Sequence, residues 1–210
     1  MGDRDRDELE QNIRRLVEAA DLDAATTVAL EGYGPEILRF LIGFHGDEAA
    51  ASEVFSLFAE GIWRGIGAFD WACLFRTWAF AVARMASLRH RRDQGRRAAR
   101  EAPLAQCAAI SEIAAQVRSQ TLSYLRTERR SRFAAIRDNL PPDDRALVML
   151  RIDRKLAWKD CARVMHAEAA LGDDALDREA ARLRKRFQLL KEKLLAIGRS
   201  EGLLGDRSDR

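Results

Sequence analysis

The sequence predicts an all-α protein, and two observations carry that prediction. Apolar residues recur at steps of three and four in each regular stretch, whereas no stretch shows the strict alternation of a half-buried strand. The most regular stripe lies toward the C-terminal end: Leu176, Ala180, Leu183, Phe187, Leu190, Leu194 and Ile197. We therefore expect two small helical domains joined by a linker, with a helix-turn-helix in the C-terminal one.

The N-terminal domain is predicted to span residues 27–97, after a charged extension at residues 1–26 that has the character of a frayed helix. Its first helix starts near Thr27 and has one apolar face, formed by Leu30, Tyr33, Ile37, Leu41 and Phe44. Gly34-Pro35 interrupts this run, so a start at the proline is the alternative. Asp47 is expected to cap the next helix through its side-chain oxygen.

The second helix is predicted over Glu48 to Arg64, with Val54, Phe58 and Ile62 facing inward. Its outer face is polar and carries Glu48, Ser52, Glu53, Ser56 and Glu60. A third helix follows from about Leu74. Its inner stripe is expected to consist of Leu74, Trp78, Val82, Met85 and Leu88.

Residues 98–121 are predicted to be a linker, because no clear period runs from Asp93 to about Ala109. Within the linker, Ile110, Ile113 and Val117 suggest a helix that starts after Ser111 or a little earlier.

The C-terminal domain is predicted at residues 122–200, with a tail at 201–210. Pro141-Pro142 stops one helix, and Asp143-Asp144 is expected to cap the next. A helix, a short turn, a second helix, a turn at residues 167–175 and a long basic helix then follow.

The segment from Val54 to Arg97 concentrates aromatic residues directly before a block of arginine. The rings belong to Phe55, Phe58, Trp63, Phe69, Trp71, Phe75, Trp78 and Phe80. The arginines are Arg84, Arg89, Arg91, Arg92, Arg96 and Arg97. Exposed rings beside arginine suit unstacked bases and the phosphates that carry them. The alternative is a packed helical hairpin with a solvated basic end.

Residues 65–75 form the candidate base pocket within this segment. Two glycines break the second helix here, and Trp71 continues no apolar stripe. Asp70 is expected to hydrogen-bond a base edge or to cap the third helix, since a phosphate would repel it. In the alternative interpretation, Trp71 folds back onto Phe75 or Trp78 as part of the core.

Composition narrows the class of protein. Hydrophobic residues make up 47% of the chain, and the net charge of +3 conceals separate basic blocks, which point to a polyanionic partner. Three cysteines without paired spacing argue against a disulfide framework or a zinc site. The charged N-terminus lacks the apolar core of a signal peptide. We expect a cytoplasmic protein with no membrane insertion.

Catalysis finds little support in the sequence. His45, His90 and His166 have no partner at a suitable spacing, and phosphate-loop, metalloprotease and nucleophile-elbow motifs do not occur. No enzymatic activity, cofactor or metal is predicted.

The last three predicted helices, from Pro142 to Leu194, have the layout of a helix-turn-helix. A short amphipathic helix precedes one with a basic outer face, and the latter would enter the major groove. The candidate DNA contacts are Arg178, Arg182, Arg184 and Lys185. The alternative is a three-helix bundle with a solvated basic face.

Five motifs occur in an order typical of one family. The N-terminal ones are Leu38-Arg39-Phe40-Leu41 through Asp47, Ala51 to Phe58, and Phe75 to Arg84 with the arginine run behind it. The C-terminal ones are Leu140 to Arg145, and Leu183 to Phe187 with Leu190, Lys191 and Leu194 behind. In this order, and with a linker of this length, they resemble a bacterial RNA polymerase sigma factor of the sigma-70 family, of the small extracytoplasmic-function type. Met85, where the family has Asn, and the lengthened turn at 167–175 depart from the pattern.

The resemblance implies a factor that binds core RNA polymerase and directs it to promoter DNA. The N-terminal domain would trap the single-stranded −10 element, the C-terminal domain would read the −35 duplex, and the linker would thread through the polymerase. The implied −10 contacts are Phe69, Asp70, Trp71, Phe75, Arg76, Arg84, Arg89, Arg91 and Arg92. The implied polymerase contacts are Asp47, Glu48, Ser52, Glu53 and Ser56. An anti-sigma factor is a further candidate partner.

Two other hypotheses remain open at this point. One is a stand-alone DNA-binding regulator that dimerises through the stripe from Leu176 to Ile197. The other is a helical adaptor without affinity for nucleic acid. A pull-down with core polymerase separates the first from a sigma factor, and a salt-dependent gel shift on duplex DNA would speak against the second.

Overall fold

The computed structural model describes residues 3–93, 108–127, 139–169 and 171–200. All regular structure within these ranges is helical, which confirms the predicted all-α class. The chain divides into two compact units, Met1–Thr127 and Glu128–Arg210. Arg96 and Arg97, the predicted tail and the first part of the predicted linker lie outside the described residues.

The first unit contains five α-helices within the described ranges. They are α1 (Asp3–Glu18), α2 (Leu22–His45), α3 (Glu48–Gly65), α4 (Phe75–Asp93) and α5 (Ala108–Thr127), with a 3-10 turn at Ile66–Ala68 after α3. Asp21 caps α2 by accepting from the amide of Ala24 at 3.2 Å. As predicted, Asp47 caps α3, where its Oδ2 accepts from the amide of Ala50 at 2.7 Å.

The core of the first unit is largely aromatic. Its largest fully buried rings are Tyr33, Phe40, Phe55, Phe58, Phe75 and Phe80. The predicted inner faces of α2 and α3 are both buried, which confirms the helical period read from their apolar residues. These rings fill the space between α2, α3 and α4, so the three helices pack around one core.

Helix α2 begins at Leu22 and continues through Gly34-Pro35, so neither the predicted start near Thr27 nor the alternative start at the proline is right. Gly34 does not interrupt the helix and instead allows a close contact with a neighbouring helix. A Cβ at this position would lie 2.8 Å from Cγ1 of Val117 in α5 and 3.3 Å from the ring of Phe55. The missing side chain lets α5 approach α2 closely.

Helix α1 is a docked element rather than a frayed extension. Ile13 is fully buried, and the side chain of Leu9 lies directly over Gly32 of α2. A glycine there leaves room for the leucine, so the two helices can pack closely.

The predicted inner stripe of α4 is wrong. Leu74 precedes the helix and is 58% exposed, and Met85 is 36% exposed. The residues that are buried instead are Phe75, Arg76, Thr77, Ala79, Phe80, Ala83, Arg84, Ala86, Ser87 and His90. This face mixes small and polar residues, because close helix packing favours alanine and paired polar groups can be buried. Glu60 of α3, predicted to be exposed, is likewise buried and pairs with Arg64 at 2.9 Å.

Helix α5 packs on α2 and α3 through one buried face, formed by Ile110, Ala114, Val117 and Thr121. The second half of the predicted linker, residues 108–121, is thus helical and belongs to the first unit.

The second unit contains α6 (Pro142–Val148), a π-helical turn at Met149–Asp153, α7 (Trp158–Met165) and α8 (Asp173–Ser200) within the described ranges. The stripe of α8 is buried at Leu176, Ala180, Leu183 and Leu190.

Asp143-Asp144 was predicted to cap α6, but neither residue occupies the capping position. Pro141 occupies the capping position, and both carboxylates lie in the first turn, where they favour the positive end of the helix dipole. Asp144 also accepts a hydrogen bond from Nε of Arg186 at 2.6 Å, which ties α6 to α8.

Candidate nucleic-acid interface

The loop between Phe69 and Leu74 joins the 3-10 turn to α4, and its first ring belongs to the core. Phe69 is only 9% exposed. It stacks on Trp78 at a centroid distance of 4.9 Å and meets Phe75 edge-on at 5.9 Å. Phe69 is therefore a structural support of the loop.

Trp71 is held in an unusual conformation and stays partly exposed. Its φ of 58° lies in the left-handed region, which bulky residues rarely adopt and which recurs at ligand sites. The preceding Asp70 accepts from the amide of Ala72 at 3.0 Å and so closes a tight turn around Trp71. The indole lies 4.8 Å from the Phe69 ring, and the guanidinium of Arg14 lies over it at 5.4 Å.

The first turn of α4 is capped from a distant helix. Glu10 of α1 accepts from the amide of Phe75 through Oε2 at 2.7 Å and from that of Arg76 through Oε1 at 2.8 Å. The hydroxyl of Tyr33 donates to the same Oε1 at 2.7 Å. Burial and the charge of Glu10 raise the pKa of Tyr33 well above its ordinary value, so the phenol stays protonated. Nothing in the sequence pattern indicated Glu10.

The predicted arginines divide into buried and exposed groups. Arg76 donates to both carboxylate oxygens of Glu36, with Nε at 3.1 Å from Oε2, and lies over the Phe80 ring at 5.5 Å. Arg84 is also buried. The exposed group consists of Arg89, Arg91 and Arg92.

The exposed arginines and the Trp71 loop lie at opposite ends of α4. Arg89 lies 14 positions after Phe75, which corresponds to about 20 Å along a helix. One base cannot touch both ends, whereas a strand of several nucleotides can.

The predicted polymerase face of α3 is only partly open. Asp47 and Glu53 are exposed and Glu48 is half-buried. Ser52 and Ser56 lie beneath α5, where Nη1 of Arg118 donates to the Ser52 carbonyl at 3.3 Å and to the Ser56 hydroxyl.

The basic residues of α8 also differ in their surroundings. Arg178 and Lys185 are exposed. Arg182 donates to Glu179 at 2.7 Å, and this hydrogen bond is the main reason that the pKa of Glu179 is lowered. Arg184 lies over the Trp158 ring at 5.8 Å.

The start of α8 is acidic. Lys159 of α7 reaches Asp173 at 3.1 Å and Asp177 at 3.3 Å, and these hydrogen bonds raise the pKa of the lysine. Since both carboxylates are largely exposed, the first turn of α8 is a poor surface for phosphate, and the basic surface begins at Arg178.

Other kinds of site find no support in the described ranges. They contain no cluster of three or more His, Cys, Asp or Glu residues that could hold a metal ion. None of their helices combines the length and the apolar character that a membrane span needs. Burial raises the pKa of the Cys161 thiol to about 12, so this cysteine stays protonated.

Residues 29–97 match the family model described as Sigma-70 region 2. This segment, which covers less than half of the chain, is thus similar to a sigma-70 region 2 domain. It contains most of α2, all of α3 and α4, and the Trp71 loop, whereas α1 and α5 lie outside it. Searches of curated proteins and of solved structures found no match to this chain.

Proposed function

We propose that the chain is a sigma factor of the extracytoplasmic-function type, which binds core RNA polymerase and opens promoter DNA. The match of residues 29–97 to sigma-70 region 2 carries the proposal. In this role the protein supplies binding energy and no covalent chemistry.

At the −10 element, a base drawn out of the duplex stacks on Trp71, and Asp70 lies beside it. Arg89, Arg91 and Arg92 attract the phosphates of the same strand further along α4. Opening follows if the bound state favours unstacked bases over paired ones, which aromatic rings near positive charge provide. The buried set of Phe69, Phe75, Arg76 and Arg84 supports this surface from behind.

At the −35 element, α8 lies in the major groove and presents Arg178 and Lys185. Arg182 and Arg184 are held by Glu179 and Trp158, so their side chains are oriented before DNA arrives. Because the start of α8 is acidic, the helix contacts the groove from Arg178 onward and not through its first turn.

Core polymerase contacts α3 through Asp47, Glu48 and Glu53. Ser52 and Ser56 are engaged by Arg118 and contribute less.

Glu53→Lys is expected to weaken binding to core polymerase by about tenfold or more, because reversing a charge at an interface places like charges together. The Glu53 side chain is 57% exposed and its contact with His90 is long, at 3.8 Å, so the domain should stay folded. Glu31→Lys, an equal charge change at an exposed residue of α2, serves as the control. Equal affinities of the two variants, measured by fluorescence anisotropy, would place the contact elsewhere.

Alanine substitutions at Arg178, Arg182 and Lys185 separate base contacts from phosphate contacts. We expect at least one to lose about 1–3 kcal/mol on the selected −35 site only, as a base contact does. A phosphate contact instead weakens all sequences alike and lowers the salt slope by about one. Lys193→Ala, exposed further along α8, is the control. If all three variants keep the wild-type promoter choice, α8 is not the recognition helix.

The proposed function is tested by transcription in vitro with core RNA polymerase. A random-sequence DNA library is first selected with the reconstituted enzyme, and the recovered promoters are then transcribed with and without this chain. Transcription that depends on the chain supports the proposal. Binding to duplex DNA without binding to core polymerase would instead identify a stand-alone regulator.

A further inference from the structure

Helix α1 lies outside the segment that matches sigma-70 region 2, yet it contacts both sides of the Trp71 loop. Glu10 holds the two backbone amides that follow the loop, and Arg14 lies over the indole within it. These two residues are four positions apart, so they occupy the same face of α1.

Glu10 replaces a cap that the local sequence does not provide. The first amides of a helix have no partner within it, and a Ser, Thr, Asp or Asn just before the helix normally accepts from one of them. Leu74 occupies this position before α4, and its side chain has no acceptor. A carboxylate that accepts from Phe75 and Arg76 satisfies both amides and also favours the positive end of the helix dipole.

The attachment of Glu10 is itself well supported. The Tyr33 hydroxyl donates to Oε1, and Leu9 packs over Gly32, the residue directly before Tyr33 in α2. The carboxylate is therefore fixed to α2 and α4 at once, and the end of the loop is fixed with it.

Arg14 acts on the loop from the other side. Its guanidinium faces the Trp71 ring at 5.4 Å while its Nε donates to Glu18 at 3.0 Å. The positive charge of Arg14 is attracted to the face of the Trp71 indole, and the hydrogen bond to Glu18 restrains the guanidinium there. The left-handed conformation of Trp71 is thus held between a capped helix start and a fixed arginine.

We infer that α1 is a part of the promoter-DNA site, in which Glu10 is a positioning residue and Arg14 holds the Trp71 ring before DNA binds. The inference rests on the proposed function. A loop that is already ordered loses less conformational entropy when a base stacks on it, so the affinity for single-stranded DNA is higher.

The test uses the full chain with core polymerase and a promoter selected as described above. Glu10→Ala is expected to reduce the fraction of permanganate-reactive open complex by about tenfold, as the loss of a helix cap predicts. Glu10→Gln keeps one acceptor oxygen and should recover much of the loss. Binding to core polymerase and to −35 duplex should stay at wild-type levels. Glu8→Ala, exposed on the same helix, is the matched control.

A second measurement does not depend on activity. The chain is labelled with 5-fluorotryptophan, and the Trp71 resonance is assigned with Trp71→Phe. Glu10→Ala and Arg14→Ala should each shift or broaden this resonance, whereas Glu8→Ala should not. Arg14 is 58% exposed, so its substitution should leave the fold intact.

Three outcomes are distinguishable. If the wild type fails to bind core polymerase, the proposed function is wrong. If the wild type opens the promoter and the folded Glu10→Ala and Arg14→Ala variants open it equally well, α1 is only a structural brace and the inference fails. An unchanged Trp71 resonance in both variants would overturn it as well.

Discussion

Glu36→Gln is expected to destabilise the first unit by about 3–5 kcal/mol, the range found when one partner of a buried ion pair is removed. Only 11% of the Arg76 side chain and 16% of the Glu36 side chain are exposed, and both carboxylate oxygens accept from the guanidinium. The substitution leaves a buried positive charge facing a neutral amide. The expected result is a lower denaturant midpoint with an unchanged slope.

The measurement needs a signal from the first unit alone, since two units need not unfold together. Trp158 belongs to the second unit, so a Trp158→Phe background leaves Trp63, Trp71 and Trp78 to report by fluorescence. Glu31→Gln, the same change at an exposed residue of α2, is the control and should shift the midpoint very little.

Substitutions in the Glu36–Arg76 ion pair also test whether Arg76 is structural or contacts DNA. Glu36→Leu combined with Arg76→Leu should restore much of the stability that Glu36→Leu alone removes, because no buried charge remains. A folded Arg76→Leu variant that fails only in promoter opening would show instead that Arg76 contacts DNA.

Apolar periodicity predicted the parts of the fold in which burial and hydrophobicity coincide. The predicted inner face of α2 is one example, since it consists of leucine, isoleucine and aromatic residues, and the buried residues of α8 are another, since they are three leucines and an alanine. It failed at α4, where the inward face contains Arg76, Ala83 and Ser87, while the more apolar Met85 is exposed. Hydrophobicity does not register a buried ion pair or a small residue that allows close packing.

Glycine was misleading for a related reason. Gly34 beside a proline is typical of a helix break, yet here it makes room for Val117 of a helix more than 80 residues further along the chain. Such a contact becomes visible only when the partner helix is in place.

The candidate site was predictable to a similar extent. Trp71 was singled out because it continues no stripe, and the structure holds it in a loop with a left-handed backbone. The contribution of Glu10 could not be predicted, since a glutamate in a charged segment has many possible partners and the amides that it caps lie 65 and 66 positions away. A polar contact over that separation leaves no periodic trace in the sequence.

Phe69→Ala is expected to lower mainly the stability of the first unit, whereas Trp71→Ala is expected to lower mainly promoter opening. Phe69 is nearly buried between Trp78 and Phe75, so its truncation should cost about 3–5 kcal/mol of unfolding free energy, as for other buried phenylalanines. Trp71 is partly exposed, and alanine keeps the Cβ that strains the left-handed backbone, so the stability of the unit should change little.

Promoter opening should show the reverse order. Trp71→Ala removes the ring on which we propose that a base stacks, so it should lower open-complex formation by about 1–3 kcal/mol, while binding to core polymerase stays intact. Folded Phe69→Ala protein, studied well below its midpoint, should open the promoter better than Trp71→Ala does. Trp63→Ala serves as the control, because Trp63 lies on α3 outside the loop and donates to Asp23 at 3.3 Å. If Trp71→Ala lowers the midpoint as far as Phe69→Ala and its folded fraction opens DNA normally, both rings belong to the core and a base must stack elsewhere.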